Sequence, residues 1–149
     1  MPINFFRKSP ASPEKPEPVS LELVNVLLVD DDSEILSILK HCLESRHYVV
    51  TTVSNGVDGL KQVMAHDFDI ILCDLMMPKM PGDMFFIAVE RTKPLMAERF
   101  IFVTGHMENP KVEKFLGTVK SPIVKKPFLP EEIFRAIDKI LKEATPLPL

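Results

Sequence analysis

Five residues of chemically useful type stand at the ends of short apolar runs. Asp30 and Asp31 follow Val-Asn-Val-Leu-Leu-Val, Asp74 follows Ile-Ile-Leu-Cys, Thr104 follows Arg-Phe-Ile-Phe-Val, and Lys126 follows Pro-Ile-Val-Lys. If these runs are strands of one open parallel sheet, their ends lie on a single edge, the edge where such sheets bind ligands. Three carboxylates would then meet a hydroxyl and an ammonium. At an effective dielectric of about 20, two unit charges 4 Å apart repel by ~4 kcal/mol, so such a cluster needs a cation. An oxygen-only donor set without His or Cys points to a hard divalent ion. Mg2+ suits it best, since it takes few protein carboxylates, keeps waters and leaves coordination for a phosphate. The chemistry this predicts is phosphoryl transfer, in which catalysis is mostly positioning and charge neutralisation. Asp74 is the expected nucleophile, becoming an acyl phosphate. Lys126 and the metal would balance the transferred oxygens. Thr104 would donate to one of them, and the backbone N–H groups of Leu75 and Gly105 would meet others.

Each group has a plainer reading as well. Asp-Asp-Asp-Ser resembles a helix cap, Thr104-Gly105 a turn, and Lys126-Pro127 a solvated lysine before proline. What favours the functional reading is the conjunction of all five at expected strand ends.

The elements that must hold these groups follow from hydrophobic patterning. Val24–Asp30, Tyr48–Val53, Asp69–Asp74, Arg99–Thr104 and Pro122–Lys125 read as strands. The first is apolar almost without alternation, as in a parallel sheet covered on both faces. Between them, Ile35, Leu36, Leu39, Cys42 and Leu43 recur at helical spacing behind a cap at Asp32 or Ser33. Val57, Leu60, Val63 and Met64 form a second helical face after Asn55-Gly56. Asp83–Lys93, closed by Pro94, is expected to be a helix, although Met84–Val89 is so continuously apolar that periodicity alone leaves a strand open. Pro110–Leu116 allows about two turns before Gly117. Pro130 opens a last helix at its first position, with Ile133, Ile137, Ile140 and Leu141 expected inward. This fivefold β–α alternation predicts a three-layer α/β sandwich around a parallel sheet.

At 149 residues the chain suits one domain with a full core. Its 46% hydrophobic and 26% charged residues are those of a soluble globular protein. A formal net charge of −3 lends no support to nucleic-acid binding. No window approaches the ~20 apolar residues of a membrane span, and the N-terminus lacks a secretory core. Cys42 and Cys73 lack metal-ligand spacing and read as small core residues of a reducing compartment, with the cytoplasm as expected location. Residues 1–22, rich in Pro, Ser, Glu and Lys, are expected to be a flexible tail, broken by an apolar knot at Ile3-Asn4-Phe5-Phe6. The folded unit is 23–144, and residues 145–149 (Thr-Pro-Leu-Pro-Leu) are expected to fray. His41, His47 and His66 are expected to face solvent.

Taken together, Val-Leu-Leu-Val-Asp-Asp-Asp, Ile-Ile-Leu-Cys-Asp-Leu-Met-Met-Pro-Lys-Met-Pro-Gly, Phe-Val-Thr-Gly and Val-Lys-Lys-Pro-Phe resemble the receiver domains of two-component response regulators, typified by the chemotaxis response regulator. The resemblance spans about Asn25 to Glu143. It implies a flavodoxin-like (βα)5 fold with strand order 2-1-3-4-5. It makes Asp74 the phosphoacceptor of a sensor or hybrid histidine kinase's phosphohistidine. It further implies Mg2+ bound by Asp31, Asp74 and the Met76 backbone carbonyl, with Asp30 acting largely through water. Thr104 and Lys126 take the family's hydroxyl and lysine roles, and the Lys126–Pro127 peptide is expected cis. The downstream partner would be a protein docking on the fourth strand, the helix after it, the last strand and the last helix. No output domain follows the last helix, so the expected form is a stand-alone receiver that catalyses only its own phosphorylation and dephosphorylation.

Two features depart from the family pattern. Ile123 occupies the position where receivers commonly carry an aromatic residue that moves with the Thr, so an aliphatic shift or the backbone must do that work here. The helix after Thr104 is short, and the pattern Gly105-His106…Gly117…Ser121-Pro-Ile looks more like receivers attached to, or serving, hybrid histidine kinases. By family position, Met76 and His106 flank the path of hydrolytic attack, and Met76 has no group to orient water, which predicts a long-lived phosphoryl state. Two alternatives remain: a receiver-shaped interaction module indifferent to phosphate, and a magnesium-dependent aspartyl-nucleophile phosphohydrolase. The second usually carries another acid two residues after the nucleophile, where this chain has Met76.

Overall fold

The computed structural model describes residues 23–148, so the tail expected at 1–22, with its apolar knot, and Leu149 lie outside the described residues. Five parallel strands, β1 (Asn25–Val29), β2 (Val49–Val53), β3 (Ile70–Cys73), β4 (Phe100–Thr104) and β5 (Ile123–Lys125), form one sheet in the order β2-β1-β3-β4-β5. This is the flavodoxin-like arrangement expected from the sequence. The helices are α1 (Ser33–Glu44), α2 (Gly56–Ala65), α3 (Gly82–Thr92), α4 (Pro94–Ala97), α5 (Pro110–Leu116) and α6 (Pro130–Glu143).

Strand periodicity divides the core into two layers, because successive side chains point to opposite faces. Leu27, Val29, Ile71, Cys73, Phe100 and Phe102 meet α2, α3 and α5 through Val63, Phe85, Phe86, Val89, Val112 and Leu116. Val26, Leu28, Ile70, Leu72, Ile101 and Val103 meet α1 and α6 through Leu39, Leu43, Ile133, Ile137 and Ile140. Burial on both faces explains why the central strands read as unbroken apolar runs. In the first layer Phe86 packs edge-on to Phe100, Phe102 and Phe115 with ring centroids 5.1–5.7 Å apart, fixing α3 and α5 on the sheet.

One choice that periodicity left open is settled as expected, and two local features differ from expectation. The apolar run Met84–Val89 is a helix: Phe85, Phe86 and Val89 are buried while Met84 and Ile87 are exposed, a spacing that only a helical turn produces. Pro94 does not simply end α3. Lys93 leaves the helical region (φ −138°, ψ 72°), and Pro94 starts the single turn of α4 at the first position it tolerates. Leu141, expected inward, is 40% exposed, because the inward stripe of α6 is carried by Ile133, Ala136, Ile137 and Ile140.

At the edge where the strands begin, Arg99 is buried. Its guanidinium donates to the carbonyls of Asp69 (3.2 Å) and Thr145 (2.6 Å), while Glu98 accepts from the Thr145 N–H (3.1 Å). The backbone just past α6, where fraying was expected, is thus held at Thr145. No helix among the described residues is long and apolar enough to cross a membrane.

Candidate functional site

Strand register builds the site. Val29 of β1 is level with Cys73 of β3, so the next residues, Asp30 and Asp74, leave the sheet side by side, and the Asp74 N–H donates to the Val29 carbonyl at 2.9 Å. Thr104 of β4 is level with Lys125 of β5, and the Lys126 N–H donates to the Thr104 carbonyl at 2.9 Å. Neighbouring strands lie about 4.8 Å apart. Four chain segments therefore deliver their polar residues to one edge.

Asp30, Asp74 and Thr104 are buried there, and Asp31 is exposed at the rim. Asp30, Asp31 and Asp74 each present a carboxylate oxygen within 4.8 Å of the others. The Lys126 ammonium bridges two of them, at 2.6 Å from Asp30 Oδ2 and 3.3 Å from Asp74 Oδ2. The Leu75 N–H donates to Asp74 Oδ1 at 2.7 Å, so the Asp74 carboxylate is pinned from both sides. Asp30 Oδ1 accepts from the Asp32 N–H at 2.9 Å. Asp32 is the cap of α1, its Oδ1 accepting from Glu34 N and Ile35 N. The acidic run thus divides its work: the capping reading holds for Asp32, and the clustered reading for Asp30 and Asp31.

Burial raises the Asp30 carboxyl above its ordinary range and overcomes the lowering effect of the Lys126 hydrogen bond. For Lys126 burial works in the opposite sense to its partners. The Asp30 hydrogen bond and the Asp74 and Asp30 charges prevail and hold the ammonium above the usual lysine value. The Cys73 thiol, wholly buried and next to these acids, is pushed far up and is inert as a nucleophile.

Thr104 Oγ1 accepts from the His106 N–H at 3.1 Å, which ties the loop after β4 to the hydroxyl. Gly105 lies beside Lys126, where a Cβ would meet the lysine Cβ at an ordinary 3.6 Å. Met76 and His106 are exposed at the mouth. Ile123 is 40% exposed on β5, level with Phe102 and so on the sheet face that Thr104 shares. The Lys126–Pro127 peptide is cis.

Gly82 had no role assigned from sequence. A Cβ there would stand 2.1 Å from the Asp74 carbonyl oxygen and 2.9 Å from Leu75 Cα. Its N–H donates to the Leu75 carbonyl at 3.0 Å. The N-terminus of α3 therefore presses against the Asp74 backbone, and only hydrogen fits. The signal in the sequence was a glycine eight residues after Asp74, closing the Pro-rich loop.

The donor set fits a hard divalent cation: it is made of carboxylate oxygens, partly buried, with one water-facing member. A doubly wound sheet with acids, hydroxyl and lysine gathered at its C-terminal edge defines a receiver-type signalling domain. The response regulator receiver domain model matches residues 26–138, and the chain belongs to that family of two-component signalling domains. It is 30% identical over 122 residues to the transcriptional regulatory protein GlrR of Escherichia coli, a match covering 82% of this chain and 27% of GlrR. The chain thus spans about a quarter of that curated relative. The chemotaxis response regulator CheY4 of Vibrio cholerae has the same fold at 28% identity, with a TM-score of 0.71 over 80% of this chain and 99% of CheY4. The receiver domain of the sensor histidine kinase PA1611 from Pseudomonas aeruginosa, solved with a magnesium ion coordinated in its active-site cleft, shares the fold alone. Its TM-score is 0.74 at 21% identity, covering 81% and 99% of the two chains.

Proposed function

We propose that Asp74 accepts a phosphoryl group from a histidine kinase's phosphohistidine in a Mg2+-dependent reaction, and that the acyl phosphate changes which proteins this domain binds. The observation that carries this reading is the single contact network joining Asp30, Asp74 and Lys126 beside Asp31 and Thr104. Asp30, Asp31, Asp74 and the Met76 carbonyl would hold the ion, which when bound supplies charge neutralisation for the transferred oxygens.

The rest falls to the chain. Leu75 N–H and Lys126 orient the carboxylate so that one oxygen faces the incoming phosphorus. The new O–P bond forms as the P–N bond to imidazole breaks, and the imidazole leaves. Lys126 stays charged and answers the phosphoryl oxygens. Thr104 turns its hydroxyl proton toward one of them, and the Gly105 and Leu75 N–H groups supply further donors. Phosphorylation adds roughly 1.5–2 negative charges at this point.

The readout follows from the Thr104–His106 bond. A hydroxyl drawn toward phosphate loses or drags the His106 N–H, and with it the loop leading to α5. This route needs no aromatic at Ile123. It makes the surface formed by β4, α5, β5 and α6 the candidate protein-docking face.

The decisive experiment is incubation with acetyl phosphate or beryllofluoride, with and without Mg2+, against Asp74→Asn. Metal-dependent modification at Asp74, with loss or gain of partner binding, is the expected result. Modification without any change in binding selects the phosphate-indifferent module instead, the reading that the outward position of Ile123 favours.

A further inference from the structure

The sheet ends at β5, whose outer edge has no neighbouring strand among the described residues. Pairing with β4 uses alternate residues of β5. The Phe102 N–H donates to the Pro122 carbonyl and the Lys126 N–H to the Thr104 carbonyl, so in a parallel ladder residues 122, 124 and 126 turn inward. The N–H and C=O groups of Ile123 and Lys125 therefore point out from the sheet edge. Alongside that edge runs a groove of about 400 Å³. Ile123, Val124 and Lys125 form its strand side, and Glu132, Arg135, Ala136 and Lys139 of α6 form the other.

The charge of this groove is one-sided, in a chain whose formal net charge is −3. Lys125, Arg135 and Lys139 are exposed, and none forms an ion pair among the described residues, where the paired cations are Lys40, Lys93 and Lys126. The one acid in the lining, Glu132, accepts from the Leu129 N–H at 2.9 Å and so serves the cap of α6. The opposite edge strand, β2, has no such bias, since its groove carries Asp58 and Lys61 together. The more apolar grooves, beside Val57, Leu60, Lys61, Met64 and Ala65 on α2 and between Met84 and Phe115, border no strand edge.

We propose that β5 takes up an extended acidic segment of a partner protein as a sixth strand. Main-chain groups give such a segment its hold, and strand alternation gives it a pattern. Its residue level with Ile123 is aliphatic. The next, level with Val124 on the α6 side of the sheet, is an acid that meets Arg135 and Lys139. The third, level with Lys125, is acidic again. A second copy is disfavoured by the same charges, because two-fold pairing of β5 would crowd Lys125, Arg135 and Lys139 of both copies along one seam. Lysine on an edge strand is the usual guard against such self-pairing. The proposal names a partner for one part of the docking face read above and rests on that reading for its place, although the edge is open whether or not Asp74 carries phosphate.

The test uses the full chain without phosphodonor, so that failure of the Asp74 chemistry cannot mask the result. The probe is a dye-labelled peptide, Thr-Val-Glu-Glu-Glu-Val-Thr, which reads alike in both directions, followed by fluorescence anisotropy. Saturable binding is expected, about tenfold weaker with Lys for each Glu of the peptide and in Arg135→Glu/Lys139→Glu, whose exposed positions tolerate charge. Methylating the three glutamate backbone nitrogens should weaken it about fivefold, the loss of one net hydrogen bond. The bound peptide should also slow hydrogen exchange at the Ile123 and Lys125 amides. Absence of saturation, equal affinity of the methylated peptide, or exchange slowed elsewhere but not at those two amides overturns the proposal.

Discussion

Lys126 is the residue on which the charge balance of the cleft rests. Its side chain keeps only a fifth of its surface in water, and its ammonium faces two buried carboxylates. Removing one partner of a fully buried pair typically costs 3–5 kcal/mol. With this residual exposure, Lys126→Met should cost about 1–3 kcal/mol in urea unfolding, and part of that should return on adding Mg2+. The pH dependence has a definite sign. Because the folded-state pKa of Lys126 is raised, its contribution is complete below the ordinary 10.5 and is lost as pH climbs through the higher folded value. Asp30 acts oppositely to a paired surface acid. Its raised folded pKa makes ionisation a cost, relieved as pH falls through that value from above the ordinary 3.8. Unfolding measured from pH 9 to 11.5 should therefore show an alkaline decline in wild type that is blunted in Lys126→Met. A second residue-scale prediction concerns Met76, exposed at the mouth with no hydrogen-bonding group. An amide that orients water with a bond worth about 1 kcal/mol speeds hydrolysis several-fold. Radiolabelled Met76→Asn should accordingly lose phosphate several times faster than wild type. Equal decay rates would show that Met76 does not limit access.

At the scale of elements, two loops hold residues in conformations their types resist. The end of α1 closes with the Tyr48 N–H on the Leu43 carbonyl and the His47 N–H on the Glu44 carbonyl, with His47 at φ 63°. This is the Schellman pattern, normally completed by glycine. His47→Gly should therefore stabilise the domain by up to about 1 kcal/mol, seen as a higher urea midpoint with unchanged slope. Gly82 presents the opposite case. Gly82→Ala must push α3 off the Asp74 carbonyl, and should reduce acetyl-phosphate labelling more than it reduces stability. These two positions also mark what the sequence made legible. The strand order came only through the family resemblance, whereas the strands and the five converging groups were readable because each rests on a run of apolar residues followed by one polar type. Backbone sign at His47 and Lys79, the extra turn at Pro94 and the tight approach at Gly82 were not, because tertiary packing imposes them on residues whose local preference points elsewhere. Leu141 was misplaced for a related reason. On a helix with a broad apolar stripe, the face that turns inward is chosen by the sheet beneath it rather than by the count of aliphatics.

For the whole molecule, the two edges of the sheet have separate occupations. One edge gathers acids, hydroxyl and lysine. At the other, the buried Arg99 guanidinium is met by main-chain oxygens from Asp69 and Thr145, and Glu98 holds the Thr145 amide. A chain cut after Ala144 keeps every helical residue of α6 yet strips Arg99 of its shorter hydrogen bond. Bonds to charged donors are worth about 1.5–3 kcal/mol, so that cut should lower stability by roughly this amount. A cut after Pro146 should be nearly neutral, as thermal melts of the two lengths would show. Arg99→Met should shrink the difference between them. The practical frontier of this module is therefore set by a guanidinium 46 residues earlier in the chain, and anyone excising or grafting the domain at Ala144, the cap of its final helix, would stop one residue too soon.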